Sequence, residues 1–272
     1  MAKTIFISGA SRGFGKLWAE AFLKRGDKVA ATARDLSSLS DLAEQYGENL
    51  LPIQLDVNDR GAGFAAVQKA NEHFGSIDVL INNAGYGLFG SVEEISEKEA
   101  RDQMETNFFG LLWLTQAVLP IMRRQGRGHI IQLSSVLGVV TLPVLGLYNA
   151  SKFAVEGLSE TLAAEVKDFG INITLIEPNG FSTDWAGASA FHTESLPEYD
   201  KVKAAFQAGL TDDIFGKPEA TTDAVLKLVD SENPPLRLFL GKMAYPWVKQ
   251  VYQGRFAEWD NWSEVATAAH GH

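Results

Sequence analysis

Short apolar runs alternate with longer segments in which apolar residues recur every three or four positions. The short runs are "KTIFIS", "KVAATA", "LLPIQLD", "DVLINN", "HIIQLSS", "INITLIEP" and "LRLFLG". Most are apolar along their whole length, the pattern of strands covered on both faces of a parallel sheet. Between them lie helical patterns. "GKLWAEAFLKRG" closes on Gly26, placed as a glycine just past a helix end. "SEKEARDQMETNFFGLLWLTQAVLPIMRR" and "YNASKFAVEGLSETLAAEVKDFG" carry long apolar stripes, and the second closes on Gly170. The alternation runs from residue 3 to about 240 and predicts an α/β fold with one doubly wound sheet. Two segments break the rhythm. Residues 182–216 read as a long insertion before the last helix, and residues 242–272 as an aromatic tail. We therefore expect one domain over 1–241 and an extension over 242–272, packed on that domain or on a neighbouring subunit.

Composition narrows the classes. A chain of 272 residues is long enough to bury a sizeable core. A net charge of −10, with no block of Lys and Arg, argues against a nucleic-acid surface. The chain has no cysteine, which removes disulfides, thiolate zinc sites and cysteine nucleophiles together. No metal is expected. The start "MAKTIFISGA" lacks the pattern of a signal peptide, and no apolar run approaches the ~18–20 residues of a membrane span. The expectation is a cytoplasmic protein acting on small molecules, away from membranes and nucleic acids.

The stretch "SGASRGFG" at residues 8–15 raises the chemical question, because it fits two motifs. Gly9-x-Ser11-x-Gly13 has the spacing of a hydrolase nucleophile elbow. That use needs a histidine base, and His192 is the one plausible candidate among His73, His129, His192, His270 and His272. Gly9-x-x-x-Gly13-x-Gly15 also fits a loop around a dinucleotide pyrophosphate, with Gly9 for the turn, Gly13 for close approach and Gly15 for helix packing. A phosphate-loop ATPase fits less well, since "GFGKL" has no Ser or Thr after the lysine.

A second constellation lies downstream. Tyr148 and Lys152 are four apart on a predicted helix and share a face. A free tyrosine titrates near 10, too high for proton transfer near neutrality. A cation ~4 Å away at an effective dielectric near 20 is worth roughly 4 kcal/mol, or about three pKa units. Lys152 is thus expected to bring Tyr148 toward neutral pH. Ser135 closes a predicted strand, where open α/β sheets place ligands, and its hydroxyl can donate to a carbonyl oxygen.

The chain resembles the short-chain dehydrogenases/reductases over about residues 3–241. The resemblance is carried by "GASRGFG" (9–15), "LDV" (55–57), "NNAG" (82–85), Asn107 in "ETNFFG", Ser135 in "LSSVLG", "YNASK" (148–152) and "EPNGFST" (177–183), in that order. It implies a Rossmann-type sheet of seven parallel strands in the order 3-2-1-4-5-6-7. It implies Tyr148 as general acid in reduction and base in oxidation, and Ser135 as the group that polarises the carbonyl, with Ser134 as fallback. By resemblance Lys152 lowers the tyrosine pKa and holds the nicotinamide ribose, and Asn107 opens a helix locally so that a water can reach Lys152. The loop residues Gly9, Ser11, Arg12, Gly13, Phe14 and Gly15 would hold the cofactor. So would Asp56 and Val57 beside the adenine, Asn83, Ala84 and Gly85 along the ribose and phosphate, and Pro178 and Thr183. Asn179 stands where the family usually has glycine after Pro178. Relatives pair the helices at 96–124 and 148–169 across a dimer face, so a homodimer or homotetramer is expected.

An NAD site places an acid roughly 20 residues past the glycines. That place falls at Ala33, followed by Arg34. Asp35 comes one or two positions late and reads as a helix cap. Arg34 and Arg12 can clamp a 2′-phosphate, so NADP(H) is the expected cofactor. Tyr86, Leu137, Leu142, Val144, Leu145 and Trp185, together with the segment 186–215, read as the substrate wall. Their apolar character points to a hydrophobic or aryl ketone and its secondary alcohol. A nucleotide-binding sensor without catalysis, and more remotely a serine hydrolase using Ser11, remain as alternatives at this point.

Overall fold

The apolar runs become strands because side chains alternate to two buried faces. The computed structural model of the chain describes residues 2–183, Trp185 and residues 190–271. Its strands are β1 (Thr4–Ile7), β2 (Lys28–Ala33), β3 (Leu50–Gln54), β4 (Val79–Asn82), β5 (Leu88–Phe89), β6 (Gly128–Leu133), β7 (Ile171–Pro178), β8 (Phe191–His192) and β9 (Arg237–Leu240). Its helices are α1 (Gly13–Arg25), α2 (Ser40–Tyr46), α3 (Arg60–Phe74), α4 (Glu97–Met104), α5 (Gly110–Gln125), α6 (Gly146–Val166), α7 (Asp200–Ala208), α8 (Thr222–Asp230), α9 (Ala244–Asn261) and α10 (Ser263–Ala268). Seven strands form one sheet in the order β3-β2-β1-β4-β6-β7-β9, and every neighbouring pair is parallel. Counted within that sheet, this is the expected 3-2-1-4-5-6-7. The short β5 and β8 pair separately, Leu88 with Phe191 and Phe89 with His192.

Strand β1 shows why the runs are apolar throughout. Ile5 and Ile7 join Trp18, Phe22 and Leu228 on one face, under α1 and α8. Phe6 joins Val67, Leu114, Val118 and Leu162 on the other, under α3, α5 and α6. All three β1 residues are fully buried, so neither face can be polar.

The long helix expected over residues 96–124 is interrupted. It opens on a capping box in which Ser96 Oγ accepts from Glu99 N–H and Glu99 Oε2 accepts from Ser96 N–H. Residues Glu105–Phe109 then widen to π pitch before α5 continues. Such widened turns cluster at functional sites, and this one holds Asn107. In the tail, Trp247, Val248 and Val251 of α9 pack against the cluster that contains Tyr148. Farther along, Phe256, Trp259 and Trp262 stand exposed. Among the described residues no helix is long and apolar enough to cross a membrane.

One core group makes the fold acid-sensitive. His129 on β6 is buried, and its Nε2 lies 2.9 Å from Thr174 Oγ1, whose own proton goes to the Pro235 carbonyl. Thr174 therefore accepts, and His129 carries its proton on Nε2. Burial pushes the His129 pKa down to about 4, with the Lys3 charge adding to the effect. In the unfolded chain it titrates near 6.5. Above that value neither state binds the proton. Between about 6.5 and 4 the unfolded chain binds it and the fold does not, so stability falls by about 3 kcal/mol across the window. Urea unfolding at neutral pH and near pH 4.5 is expected to show a smaller acid loss in His129→Gln than in wild type. Equal losses in both would contradict the assignment.

Candidate active site

Strand β1 lies between β2 and β4, so the chain order reverses there and leaves a crevice beyond the strand ends. Polar residues pin its two lips together. Ser8 Oγ accepts from the N–H groups of Asn83 and Ala84 at 3.0 and 3.1 Å. Asn83 Nδ2 donates to the carbonyls of Ser8 and Gly9 at 3.0 and 2.9 Å. Gly9 turns with φ +67°, and a Cβ there would stand 2.8 Å from Ala84 Cα. At Gly15 a Cβ would stand 2.3 Å from the Gly9 carbonyl oxygen and 2.5 Å from Asn83 Nδ2, so α1 abuts the turn directly. Gly13 faces open space instead. No side chain caps the first turn of α1, whereas Asp59 caps α3 and Ser96 caps α4. An uncapped helix start opening on a glycine turn suits an anion, and the space at Gly13 lets it come close.

A cavity of about 1130 Å³ runs from this loop to the tail. Its first half is lined by Gly9, Ser11, Arg12, Gly13, Phe14, Arg34, Asp56, Val57, Asn83, Ala84, Gly85, Pro178 and Thr183. Gly15 sits behind the wall, as its packing requires. Ala33 also lines the cavity at the end of β2, and no acid occupies that position. Asp35 is turned into a cap, with Oδ1 accepting from Ser37 N–H at 2.9 Å and Oδ2 from Ser37 Oγ at 2.7 Å. Arg12 and Arg34 are both exposed at this end.

Ser135, Tyr148 and Lys152 meet where the two halves of the cavity join. All three are buried. The Ser135 and Tyr148 side chains face the same junction. Ser135 Oγ accepts from Leu137 N–H at 3.1 Å. The Ser134 hydroxyl lies apart, beside Gly138 and near Glu156. Lys152 Nζ donates to the Leu133 carbonyl at 2.7 Å and stands 5.6 Å from the Tyr148 ring centre. Asn107 does not line the cavity. It locks the backbone of Tyr86, accepting from its N–H and donating to its carbonyl, both at 3.0 Å, and its Nδ2 reaches Ser151 Oγ at 3.2 Å.

The expected acidification of Tyr148 is not found. Burial pushes the phenol up, and the neighbouring Ser135 hydroxyl opposes this only in part. The reason is geometric: the ammonium is directed at the Leu133 carbonyl and lies toward the ring. Burial also pulls Lys152 down to about 8, against the charge of Glu156. Tyr148 is thus held neutral, the form that donates a proton.

The second half of the cavity is apolar. Tyr86, Leu137, Leu142, Leu145 and Trp185 line it as expected. Trp185 lies 4.8 Å from Tyr148 and 5.5 Å from Phe89, ring centre to ring centre. Val144 does not line it. Its backbone turns left-handed, φ 68°, so that its carbonyl can accept from Gly90 N–H at 2.8 Å. Val202, Ala205 and Phe206 of α7 and Leu210 also line it, from the segment 186–215 that was expected to supply wall, whereas Phe89 of β5, and Met243 and Trp247 near the start of α9, were not named from the sequence. The helical spacing of Val202, Ala205 and Phe206 was a readable signal. Asn179, marked in the sequence only as a departure from the family pattern, ties the walls together. Its Nδ2 donates to the Ile214 carbonyl at 3.1 Å, and its Oδ1 accepts from Met243 N–H at 3.3 Å. Its φ lies outside the left-handed region, so no special backbone freedom is used there. His192 stacks on Phe89, 5.2 Å between ring centres, and is not among the residues lining the cavity with Ser11.

A family model described as short chain dehydrogenase matches residues 3–193. The chain belongs to this family of oxidoreductases. It is 40% identical to Oxidoreductase BOA17 of Botryotinia fuckeliana, across 99% of this chain and 100% of that one. It is 37% identical to a 3-ketodihydrosphingosine reductase of Bacteroides thetaiotaomicron, across 96% and 95%. Among solved structures, a short-chain dehydrogenase from Streptomyces avermitilis matches with a TM-score of 0.91 at 36% identity, covering 98% of each chain. An alcohol dehydrogenase from Thermococcus sibiricus, complexed with 5-hydroxy-NADP, matches with a TM-score of 0.75 at 26% identity, covering 90% of this chain and 98% of that one.

Proposed function

We propose that the protein is an NADP(H)-dependent reductase that interconverts an apolar or aryl ketone and its secondary alcohol. What carries this reading is the position of Ser135, Tyr148 and Lys152 at the junction of a polar, glycine-walled half-cavity and an apolar one. The polar half fits a dinucleotide. It has an open glycine turn, an uncapped helix start and two exposed arginines. NADPH, when bound, supplies the hydride.

The chain supplies position and proton. A carbonyl entering from the apolar half meets two converging hydroxyls. The neutral Tyr148 phenol donates its proton to the carbonyl oxygen, and Ser135 donates a hydrogen bond to the same oxygen. Lys152 holds the ribose hydroxyls. Asn107 fixes the widened turn and, through Tyr86, one edge of the pocket. Asp56 and Val57 would hold the adenine, Asn83, Ala84 and Gly85 the ribose and phosphates, and Pro178 and Thr183 would complete the cofactor site. The name of the Bacteroides relative, a reductase of a keto compound, supports the same reaction class.

Arg12 and Arg34 account for the choice of NADP. Charge-assisted hydrogen bonds to a phosphate are worth about 1.5–3 kcal/mol each. Arg34→Ala is therefore expected to raise the KM for NADPH about 10- to 100-fold. The KM for NADH should change little. Equal effects on both cofactors would overturn the clamp.

A further inference from the structure

Helix α6 stays polar and buried one turn past Lys152, at Glu156. Facing it is Glu177 of β7, fully buried one residue before the strand end. Arg237 of β9 joins them. Its Nε lies 3.0 Å from Glu156 Oε2 and 3.4 Å from Glu177 Oε1, and its Nη2 donates to Glu160 Oε2 at 2.6 Å nearer the surface. The reaction described above leaves this cluster without a part.

The Glu156 and Glu177 carboxyls converge on the same Arg237 nitrogen, and Glu156 Oε1 and both Glu177 oxygens are buried without making a hydrogen bond. Two carboxylates offer each other only acceptors and repel, so a buried pair this close favours a proton on one of them. Charge counting agrees. Glu156, Glu160 and Glu177 share Arg237, and Lys152 lies one helical turn from Glu156. One proton on the pair leaves two cations facing two anions. The proton belongs on Glu177. It is the more deeply buried of the two and the farther from Arg237. Burial, and then the neighbouring Glu156, push its carboxyl well above the ordinary range.

We infer that Glu156 and Glu177 form a proton-sharing carboxyl pair, with the proton on Glu177, and that the charge left on Glu156 keeps Lys152 an ammonium. Glu156 is then a positioning residue for the lysine. Its importance follows from the burial of Lys152, which by itself favours the neutral amine. The other groups around Lys152 do not replace it. Tyr148 on α6 is neutral, and the Leu133 carbonyl, Ser135 and Asn107 carry no charge. The charged groups of α4 are exposed or, for Glu99 and Asp102 at the cavity wall, half-buried, and all are occupied locally, in the pairs Glu97–Arg101 and Lys98–Asp102 and in the Glu99 cap. Lys167 and Asp168 lie exposed past the far end of α6.

The role given to Lys152 rests on the reductase reading, but the test does not use that activity. The full chain, without nucleotide or substrate, is labelled with ¹³C at lysine Cε and at glutamate Cδ and titrated by NMR. Wild type is expected to show one glutamate carboxyl still protonated near pH 7, and Glu177→Gln to remove that signal. The Lys152 resonance, identified by its loss in Lys152→Arg, is expected to titrate near pH 8. Glu156→Gln should lower its midpoint by about one unit or more, Glu156→Asp should restore most of the shift, and Glu177→Gln should leave it in place. The inference is overturned if wild type shows no protonated glutamate near neutrality. It is also overturned if Glu156→Gln leaves the Lys152 midpoint unmoved, or if Glu177→Gln lowers it as far. The wild-type glutamate spectrum decides the matter even where Glu156→Gln does not fold.

Discussion

Tyr148→Phe is expected to lower kcat by about 10²- to 10⁴-fold, the range set by loss of a positioned general acid. The substitution removes one oxygen and little else. The ring keeps its contact with Trp185, 4.8 Å between centres, and its place in the apolar cluster under α9. Lys152 keeps its bond to the Leu133 carbonyl. NADPH affinity, read by fluorescence titration, should therefore stay close to wild type, and the loss should fall on kcat. Turnover near wild type in this variant would remove Tyr148 from the reaction. A parallel fall in NADPH affinity would assign the hydroxyl to binding.

Gly15→Ala carries the second large effect. Its Cβ would stand 2.3 Å from the Gly9 carbonyl oxygen, an atom of the turn itself, and 2.5 Å from the Asn83 amide that clasps the same carbonyl. Neither neighbour is the free end of a flexible side chain. Relief requires α1 to move off the turn, which takes its N–H groups away from the crevice. Losing two or more charge-assisted hydrogen bonds costs upward of about 3 kcal/mol, so NADPH affinity should fall by about 100-fold or more. The clash also destabilises the fold by about 1–3 kcal/mol, as overpacking does. Calorimetric titration and urea unfolding of the same variant read both effects. Wild-type values in both would show that the helix need not touch the turn.

Much of this was readable from the chain because it depends on local pattern. Strands such as β1 are apolar on both faces because both are covered, and Ile5, Phe6 and Ile7 are enough to show it. The spacing of Tyr148 and Lys152 places them on one helix face whatever surrounds them. Asp35 reads as a cap, and it is one. The misreadings share a different cause. Whether Lys152 acidifies Tyr148 depends on where the ammonium points and on how much water remains, and both are set by residues far along the chain. Val144 looks like a wall residue until its backbone must serve Gly90. The helix over 96–124 has an unbroken apolar stripe, so its pattern alone hides the widened turn at Asn107, which only the family resemblance implied. The part of Asn179 in joining the Ile214 and Met243 segments is tertiary, and so is the delivery of Met243 and Trp247 to the cavity wall.

The most direct measurement is the loss of NADPH absorbance in the near ultraviolet when the purified protein meets a panel of apolar and aryl ketones. Oxidation of NADPH with at least one of them, with formation of the secondary alcohol, is the predicted result. Tight NADPH binding with no oxidation across the panel would contradict the account of a ketone reductase built on Ser135, Tyr148 and Lys152.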